Sequence, residues 1–304
     1  MPAITPPRSE ENYLDPATLS KISSLGLFAR MVVEGLVSGL HKSSYHGFSV
    51  EFSEHRPYNP GDDIRYIDWK ALAKLDRFYI KKFEEETNLR SYVILDSSGS
   101  MGFRSGSPLS KLDYGKFLTV CLAYLMLVQR DSVGLSLFAE SARRFIPPRA
   151  NRDHIQVLVD ELRDTRAEGK SSIAGALSDL AGRISRRGLV VVISDLLDDQ
   201  QRVLEALRHT RHRKNEIIIF HLLDPHEIEI PWKGYLKLVD MEDPETLTTD
   251  PGRLSRDYRQ RVESFVEGYR QGCLGENIDY VLVSTDRPLD EVLPAYLASR
   301  KRKH

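Results

Sequence analysis

From about residue 90 onward, short apolar runs alternate with amphipathic segments along the chain. Short continuous apolar runs are typical of buried strands, whereas apolar positions spaced three or four residues apart are typical of helices packed on a core. The pattern predicts strands at 91–96, 132–139, 189–193, 216–223 and 280–284. It predicts helices at 111–129, 154–164, 173–184, 202–211, 254–269 and 289–299. Strands that alternate with helices favour an α/β fold with a mostly parallel central sheet.

Three segments refine this prediction. Residues 189–193 read Leu-Val-Val-Val-Ile without alternation, which indicates a strand covered on both faces at the centre of the sheet. Residues 142–147 follow the strand at 132–139 after a turn too short for a parallel crossover, so we expect an antiparallel hairpin edge. The most apolar stretch, 118–128, is shorter than the roughly 20 residues that span a bilayer, and it is expected to be a buried helix.

The first part of the chain has a different character. An imperfect apolar stripe predicts a helix at 15–40, and interleaved aromatic and charged residues indicate a β-rich stretch at 47–86 that includes a strand at 77–83. The sequence is therefore divided into a smaller N-terminal helix and β-rich region, residues 1–87, and a larger α/β domain, residues 88–304.

Composition narrows the classes of partner. The chain has 43 Lys and Arg against 44 Asp and Glu, so no bulk field attracts nucleic acid or an anionic membrane. The two cysteines, Cys121 and Cys273, do not form a disulfide framework and fit a reducing compartment. The N-terminus has no apolar run behind a basic start, so we expect a cytoplasmic protein without a secretory signal or a membrane span.

Hydroxyl and carboxyl side chains lie where ligands collect in open α/β sheets, just beyond the carboxyl ends of strands. Asp96, Ser98 and Ser100 recur at every second position in a loop that contains glycine. Ser171 opens a predicted helix, and Asp195 follows the central strand. A set of oxygen donors without thiolate or imidazole suits a hard cation, with Mg²⁺ as the first choice and Mn²⁺ or Ca²⁺ as alternatives.

Asp96, Ser98, Ser100, Ser171 and Asp195 together resemble the metal-ion-dependent adhesion site (MIDAS) of von Willebrand factor A domains. The resemblance covers roughly the last two-thirds of the chain and implies a Rossmann-like fold of three layers. It implies that Ser98 and Ser100 bind the metal directly and that Asp96 and Asp195 bind mostly through water. Ser171 departs from the threonine that is usual in the family, and it keeps the hydroxyl but loses the methyl that restricts the rotamer.

A second motif lies upstream. Residues 56–70 read Arg-Pro-Tyr-Asn-Pro-Gly-Asp-Asp-Ile-Arg-Tyr-Ile-Asp-Trp-Lys and are followed by three glutamates at 84–86. The stretch resembles the signature of the family called domain of unknown function 58. That resemblance implies a von Willebrand factor A-like domain and a partnership with a MoxR-type AAA+ ATPase. Within the motif, Arg65, Asp68, Trp69 and Lys70 either form a face for a partner or dock the N-terminal region, and the sequence does not choose between these roles.

The sequence leaves three alternative functions open. The first is a non-enzymatic, metal-dependent adaptor or co-chaperone that acts with the ATPase on a client protein and binds a partner carboxylate. The second is a metal-dependent phosphoryl hydrolase with Asp96 as nucleophile, although Ser98 stands where a second acid commonly supports that role. The third is nucleic-acid binding through basic residues at 208–214 and 300–303, for which no recognition motif is present. Within the first basic stretch, His209 and His212 are interpreted as part of a solvated face.

Overall fold

The computed structural model describes residues 32–33, 53–57, 79–82, 89–184, 187–231, 236–239, 241, 246–249 and 251–303. Of the helix predicted at 15–40, only Val32 and Val33 are among them, and both are helical and buried. The 56–70 motif beyond Pro57 and the predicted boundary between residues 87 and 88 lie outside the described residues.

The strands of the described part of the chain form one large sheet and two small ones. In chain order they are β1 (Ser53–Pro57), β2 (Tyr79–Lys82), β3 (Arg90–Asp96), β4 (Ser132–Phe138), β5 (Ala142–Arg149), β6 (Leu189–Ser194), β7 (Glu216–Leu223), β8 (Leu236–Val239), β9 (Thr246–Thr249) and β10 (Asp279–Ser284). The six-stranded sheet has the order β10-β7-β6-β3-β4-β5, and all its pairings are parallel except β4 with β5. The predictions of a mostly parallel sheet, a central strand at 189–193 and a hairpin edge at 142–147 are confirmed.

Helices connect the parallel strands. They are α1 (Lys111–Val128), α2 (His154–Asp164), α3 (Ile173–Arg183), α4 (Gln200–His212), α5 (Pro225–Ile228), α6 (Pro251–Gly275) and α7 (Leu289–Lys303). A short 3-10 helix at Gly99–Gly102 follows β3. In the described part of the chain, no helix is both long enough and apolar enough to cross a bilayer.

The helices cover both faces of the sheet. On β6, Val191 and Ile193 contact the core that includes α1, α2 and α7. The intervening Val190 and Val192 contact the core that includes α3, α4 and α6. Because successive side chains of a strand point to opposite faces, the apolar run of β6 supplies both cores at once. The predicted α/β fold of three layers is therefore confirmed.

Helix α1 places a lysine near the carboxyl ends of the parallel strands. Ser110 caps the helix by accepting a hydrogen bond of 3.1 Å from the backbone N–H of Asp113. At Gly115 a Cβ atom would lie 2.8 Å from Cδ1 of Leu95, so glycine allows the helix to approach β3 closely. Lys111, the first residue of the helix, is thereby fully buried near the carboxyl ends of the strands.

Some elements of the described residues were not predicted from the sequence. Helix α5 has only four residues, too few for an apolar periodicity, and β8 pairs with β9 as a separate antiparallel hairpin. The helix predicted at 254–269 extends over Pro251–Gly275. Cys121 and Cys273 are free, buried thiols, in agreement with the absence of a disulfide framework.

Candidate metal-binding site

Backbone hydrogen bonds draw the loops beyond β3, β4 and α2 together. The N–H of Gly99 donates to the carbonyl of Gly169 at 2.7 Å, and the N–H of Glu168 donates to the carbonyl of Ser97 at 2.9 Å. Gly169 has φ of +72°, a left-handed conformation that glycine adopts without a steric penalty. These bonds place Ser171 against the loop that contains Asp96.

Asp96 is fully buried, and both of its carboxylate oxygens accept hydrogen bonds. Oδ1 accepts one of 2.8 Å from the backbone N–H of Ser98. Oδ2 accepts one of 3.0 Å from the Ser171 hydroxyl and one of 2.7 Å from the Ser194 hydroxyl. The structure therefore brings together the predicted pair Asp96 and Ser171 and adds Ser194, which the sequence interpretation missed.

The hydroxyl groups of Ser98 and Ser100 lie side by side, with their Oγ atoms 3.1 Å apart. Two neighbouring ligands of an octahedral Mg²⁺ ion, each at about 2.1 Å from the metal, are separated by about 3.0 Å. The two hydroxyls are hydrogen-bonded to each other, and their spacing is also compatible with adjacent positions in one coordination shell. Ser98 is fully buried and Ser100 is 9% exposed, so both hydroxyls are largely shielded from bulk solvent.

Asp195 makes a different set of contacts. Its Oδ2 accepts a 2.7 Å hydrogen bond from the ammonium group of Lys111, and its Oδ1 accepts a weaker one of 3.3 Å from the backbone N–H of Leu197. The same ammonium group donates to Oε1 of Glu227 at 2.6 Å. Asp195 thus lies at the predicted edge of the sheet, but its nearest cation is a lysine that the sequence interpretation did not connect with the site.

Burial and neighbouring charges perturb the acid-base behaviour of these groups. Burial, reinforced by the negative charge of Asp195, raises the pKa of Asp96 to about 6, although hydrogen bonds from Ser98 and Ser194 oppose the rise. Burial alone would lower the pKa of Lys111, but the carboxylates of Asp195 and Glu227 more than offset it and raise that pKa. Burial also raises the pKa of Glu227, against the lowering effect of Lys111.

The chain turns sharply just after Asp195. Leu196 has φ of +57°, a conformation that costs a side chain other than glycine roughly 1–3 kcal/mol. The Ser194 hydroxyl accepts a 2.9 Å hydrogen bond from the Leu196 N–H, and the Tyr269 hydroxyl donates to the Leu196 carbonyl at 3.1 Å. These bonds hold the turn that brings Asp195 back toward the site.

The structure brings together part of the predicted set. Asp96, Ser98, Ser100 and Ser171 converge, whereas Asp195 is bound to Lys111. Within the described ranges, no group of three or more His, Cys, Asp or Glu is arranged to hold a metal. A cation here would therefore depend on hydroxyl donors, as Mg²⁺ and Ca²⁺ tolerate but Zn²⁺ does not favour.

The basic segment at 208–214 is largely engaged within the domain. Arg208 forms an ion pair of 2.7 Å with Glu276, and Arg211 and Arg213 donate to the carbonyls of Asn215 and Ala181. His209 and His212 are exposed in the last turn of α4, as expected for a solvated face. These contacts concern the 208–214 segment alone, and nucleic-acid binding stays an untested alternative.

The six-stranded, mostly parallel sheet covered by helices is an α/β architecture, and oxygen-bearing side chains meet at the ends of β3 and β6. The chain belongs to the family described as protein of unknown function DUF58, whose model matches residues 54–270. The resemblance inferred from the 56–70 motif is therefore confirmed.

Known proteins similar to the chain include two from mycobacteria. The uncharacterized proteins Mb1516 of Mycobacterium bovis and Rv1480 of Mycobacterium tuberculosis are each 26% identical over 299 residues, which cover 95% of this chain and 91% of theirs. Among solved structures, BatB from Bacteroides thetaiotaomicron is 16% identical, with a TM-score of 0.46, over 70% of this chain and 99% of its own. The VWA domain of SpRpn10 is 9% identical, with a TM-score of 0.40, over 69% and 94% of the two chains.

Proposed function

We propose that the chain is a non-enzymatic, metal-dependent protein-interaction module that binds a carboxylate of a partner protein. One observation carries the proposal: the adjacent hydroxyls of Ser98 and Ser100 lie in the loop that begins at the buried carboxylate of Asp96. Oxygen donors in this number and spacing suit Mg²⁺, and they also accept Mn²⁺ or Ca²⁺.

Each residue of the site has a distinct part in this proposal. Ser98 and Ser100 would bind the cation through their hydroxyl oxygens, and Asp96 and Asp195 would act mostly through water. Ser171 would contribute a further hydroxyl from the opposite loop, where it contacts Asp96. When bound, Mg²⁺ would supply an open coordination position that a carboxylate oxygen of the partner can occupy.

The contacts of Asp96 favour a ligand over a nucleophile. A nucleophilic carboxylate needs an oxygen that faces the substrate, yet Oδ1 accepts from Ser98 N–H and Oδ2 accepts from two serine hydroxyls. Ser98 also replaces the second acid that commonly assists phosphoryl transfer to an aspartate. Both features support binding of a partner over hydrolysis of a phosphoester.

Exposed apolar side chains next to the site indicate which residues a partner surface would contain. Leu197, two residues after Asp195, is 46% exposed. Met241 is 48% exposed, and its Cε would lie 3.3 Å from a Cβ atom at Gly102, at the end of the 3-10 helix that contains Ser100. An acidic residue flanked by apolar side chains would match such a surface.

For the identity of the partner, the proposal rests on the family. The resemblance to domain of unknown function 58 proteins implies a MoxR-type AAA+ ATPase, with which this chain would act as an adaptor or co-chaperone toward a client in the cytoplasm. An adaptor of this kind needs a contact that forms and releases, and a metal-bridged carboxylate provides one because its strength depends on free metal.

A capture experiment tests the proposal. The purified chain, its Asp96→Ala variant and a Glu140→Ala control are immobilised and presented with the cognate ATPase in Mg²⁺, in Mn²⁺ or in EDTA. Glu140 is an exposed carboxylate that follows β4, and it is not part of the site. We expect metal-dependent capture by the wild type and by Glu140→Ala only. Equal capture under all conditions would refute metal dependence, and phosphoester turnover abolished by Asp96→Asn would favour the hydrolase.

A further inference from the structure

Lys111 is a charged side chain buried in the floor of the site. Its ammonium group has no solvent exposure and lies 2.7 Å from Asp195 Oδ2 and 2.6 Å from Glu227 Oε1. It also lies 5.9 Å from the centre of the Phe103 ring. A buried ammonium is costly unless it is paired, so these contacts fix the lysine in one position.

The position of this lysine changes the charge available to a cation. Asp195 is one of the two carboxylates expected to serve the metal, yet its Oδ2 is committed to Lys111. The fixed positive charge of Lys111 beside Asp195 weakens the attraction of this carboxylate for a metal cation. The ammonium group and the metal cation repel each other strongly where water is excluded. In this position Lys111 would oppose metal binding while it keeps Asp195 in place.

Glu227 is the second carboxylate partner of the lysine. Its Oε1 accepts from Lys111, while its Oε2 accepts a 2.8 Å hydrogen bond from the backbone N–H of Asp224. The Tyr258 hydroxyl donates to the backbone carbonyl of Glu227 at 2.8 Å. Glu227 is thus anchored between α5 and α6, and it shares the lysine charge with Asp195.

We infer that Lys111 is a positioning residue that lowers the affinity of the site for its divalent cation by holding Asp195, and that Glu227 moderates this effect. The inference rests on the proposed function, since it concerns the same cation. Its consequence is a cation held weakly by the chain alone and more strongly when a partner carboxylate completes the shell. Binding of partner and metal would then be mutually dependent.

Three proteins of defined charge test the inference: the wild type, Glu227→Gln, and the double variant Lys111→Met with Glu227→Gln. The double variant has the same net charge as the wild type, because it loses one ammonium and one carboxylate, and methionine keeps the apolar length of the lysine stem. Each protein is titrated with MnCl2 alone, and free Mn²⁺ is measured by electron paramagnetic resonance.

We expect the double variant to bind Mn²⁺ at least about tenfold more tightly than the wild type, since Asp195 is released. We expect Glu227→Gln to bind several-fold more weakly, because the lysine charge then falls on Asp195 alone. General damage to the fold would weaken binding in both variants, so the opposite directions identify the lysine effect.

Other outcomes separate this inference from the proposed function. Equal affinities in all three proteins, or weaker binding by a folded double variant, would overturn the role of Lys111 and leave the metal site intact. Binding by the double variant alone would support the role of Lys111 and refute metal dependence of the native chain. No binding by any of the three would refute both. If the double variant does not fold, unchanged affinity in Glu227→Gln is sufficient to overturn the inference.

Discussion

The Ser194 hydroxyl donates a 2.7 Å hydrogen bond to Oδ2 of Asp96, and this bond joins the ends of the two central strands. The same hydroxyl accepts a hydrogen bond from the N–H of Leu196, whose backbone is in the left-handed region. Ser194 is fully buried. One side chain therefore supports both the carboxylate of the site and the turn that carries Asp195.

Replacement of Ser194 by alanine is expected to reduce the free energy of unfolding by about 1–3 kcal/mol, because it removes partners from a buried N–H and a buried carboxylate. Urea denaturation monitored by circular dichroism measures the change. Ser141→Ala, at an exposed serine, is the control and should have little effect. If Ser194→Ala is as stable as the wild type, Ser194 supports neither the carboxylate of Asp96 nor the turn at Leu196.

The paired hydroxyls of Ser98 and Ser100 lead to a prediction about ligand-induced stability. A cation that binds only the folded state raises the melting temperature, so Mg²⁺ should raise the melting temperature of the wild type. The double variant Ser98→Ala with Ser100→Ala should lose this rise, whereas Ser105→Ala, a substitution of the same type at an exposed position, should keep it. A rise retained in the double variant would show that Mg²⁺ binds elsewhere. Differential scanning fluorimetry with and without EDTA is sufficient for the comparison.

The exposed leucine beside the site predicts a defect in partner binding alone. Leu197→Ser should weaken capture of the ATPase by about five- to thirtyfold, since burial of a leucine side chain contributes roughly 1–2 kcal/mol to binding. It should leave Mg²⁺-induced stabilisation unchanged. Leu274→Ser, at a leucine on α6 that is 66% exposed, is the matched control. Equal loss of capture in both variants would assign the effect to general surface hydrophobicity.

Much of the sheet could be predicted because its strands are short apolar runs that end in turn-forming or hydroxyl residues. The run at 189–193 has no alternation and indeed lies at the centre of the sheet, with neighbours on both sides. The ends of β3 and β6 could likewise be expected to meet, because parallel neighbouring strands end at the same edge. Asp96 and Ser171 contact each other across this edge.

The charge balance of the site could not be predicted in this way. Lys111 is 84 residues from Asp195 and 116 from Glu227, and their contact depends on how α1 and α5 cross the sheet edge. Helix α5 has four residues and gives no periodic signal. Ser194 also looked like the last residue of an apolar strand. A search for hydroxyl residues at the ends of predicted strands would have found Ser194, whereas no comparable signal marks Lys111.

A buried histidine predicts how stability changes with pH. Burial lowers the pKa of His221 to about 4, below the 6.5 of an unperturbed histidine, so the unfolded chain takes up a proton first as pH falls. The stabilising contribution is present above about pH 6.5 and is lost between there and pH 4, which amounts to about 2 kcal/mol between about pH 7.5 and about pH 5. The raised pKa of Asp96 changes the stability in the opposite direction, so the contribution of His221 must be measured as the difference between the wild type and a His221 variant.

Urea denaturation should therefore show a smaller loss of unfolding free energy on acidification for His221→Phe than for the wild type. A control at exposed His212, His212→Asn, should behave as the wild type does. Parallel pH profiles for the wild type and His221→Phe would contradict the assignment.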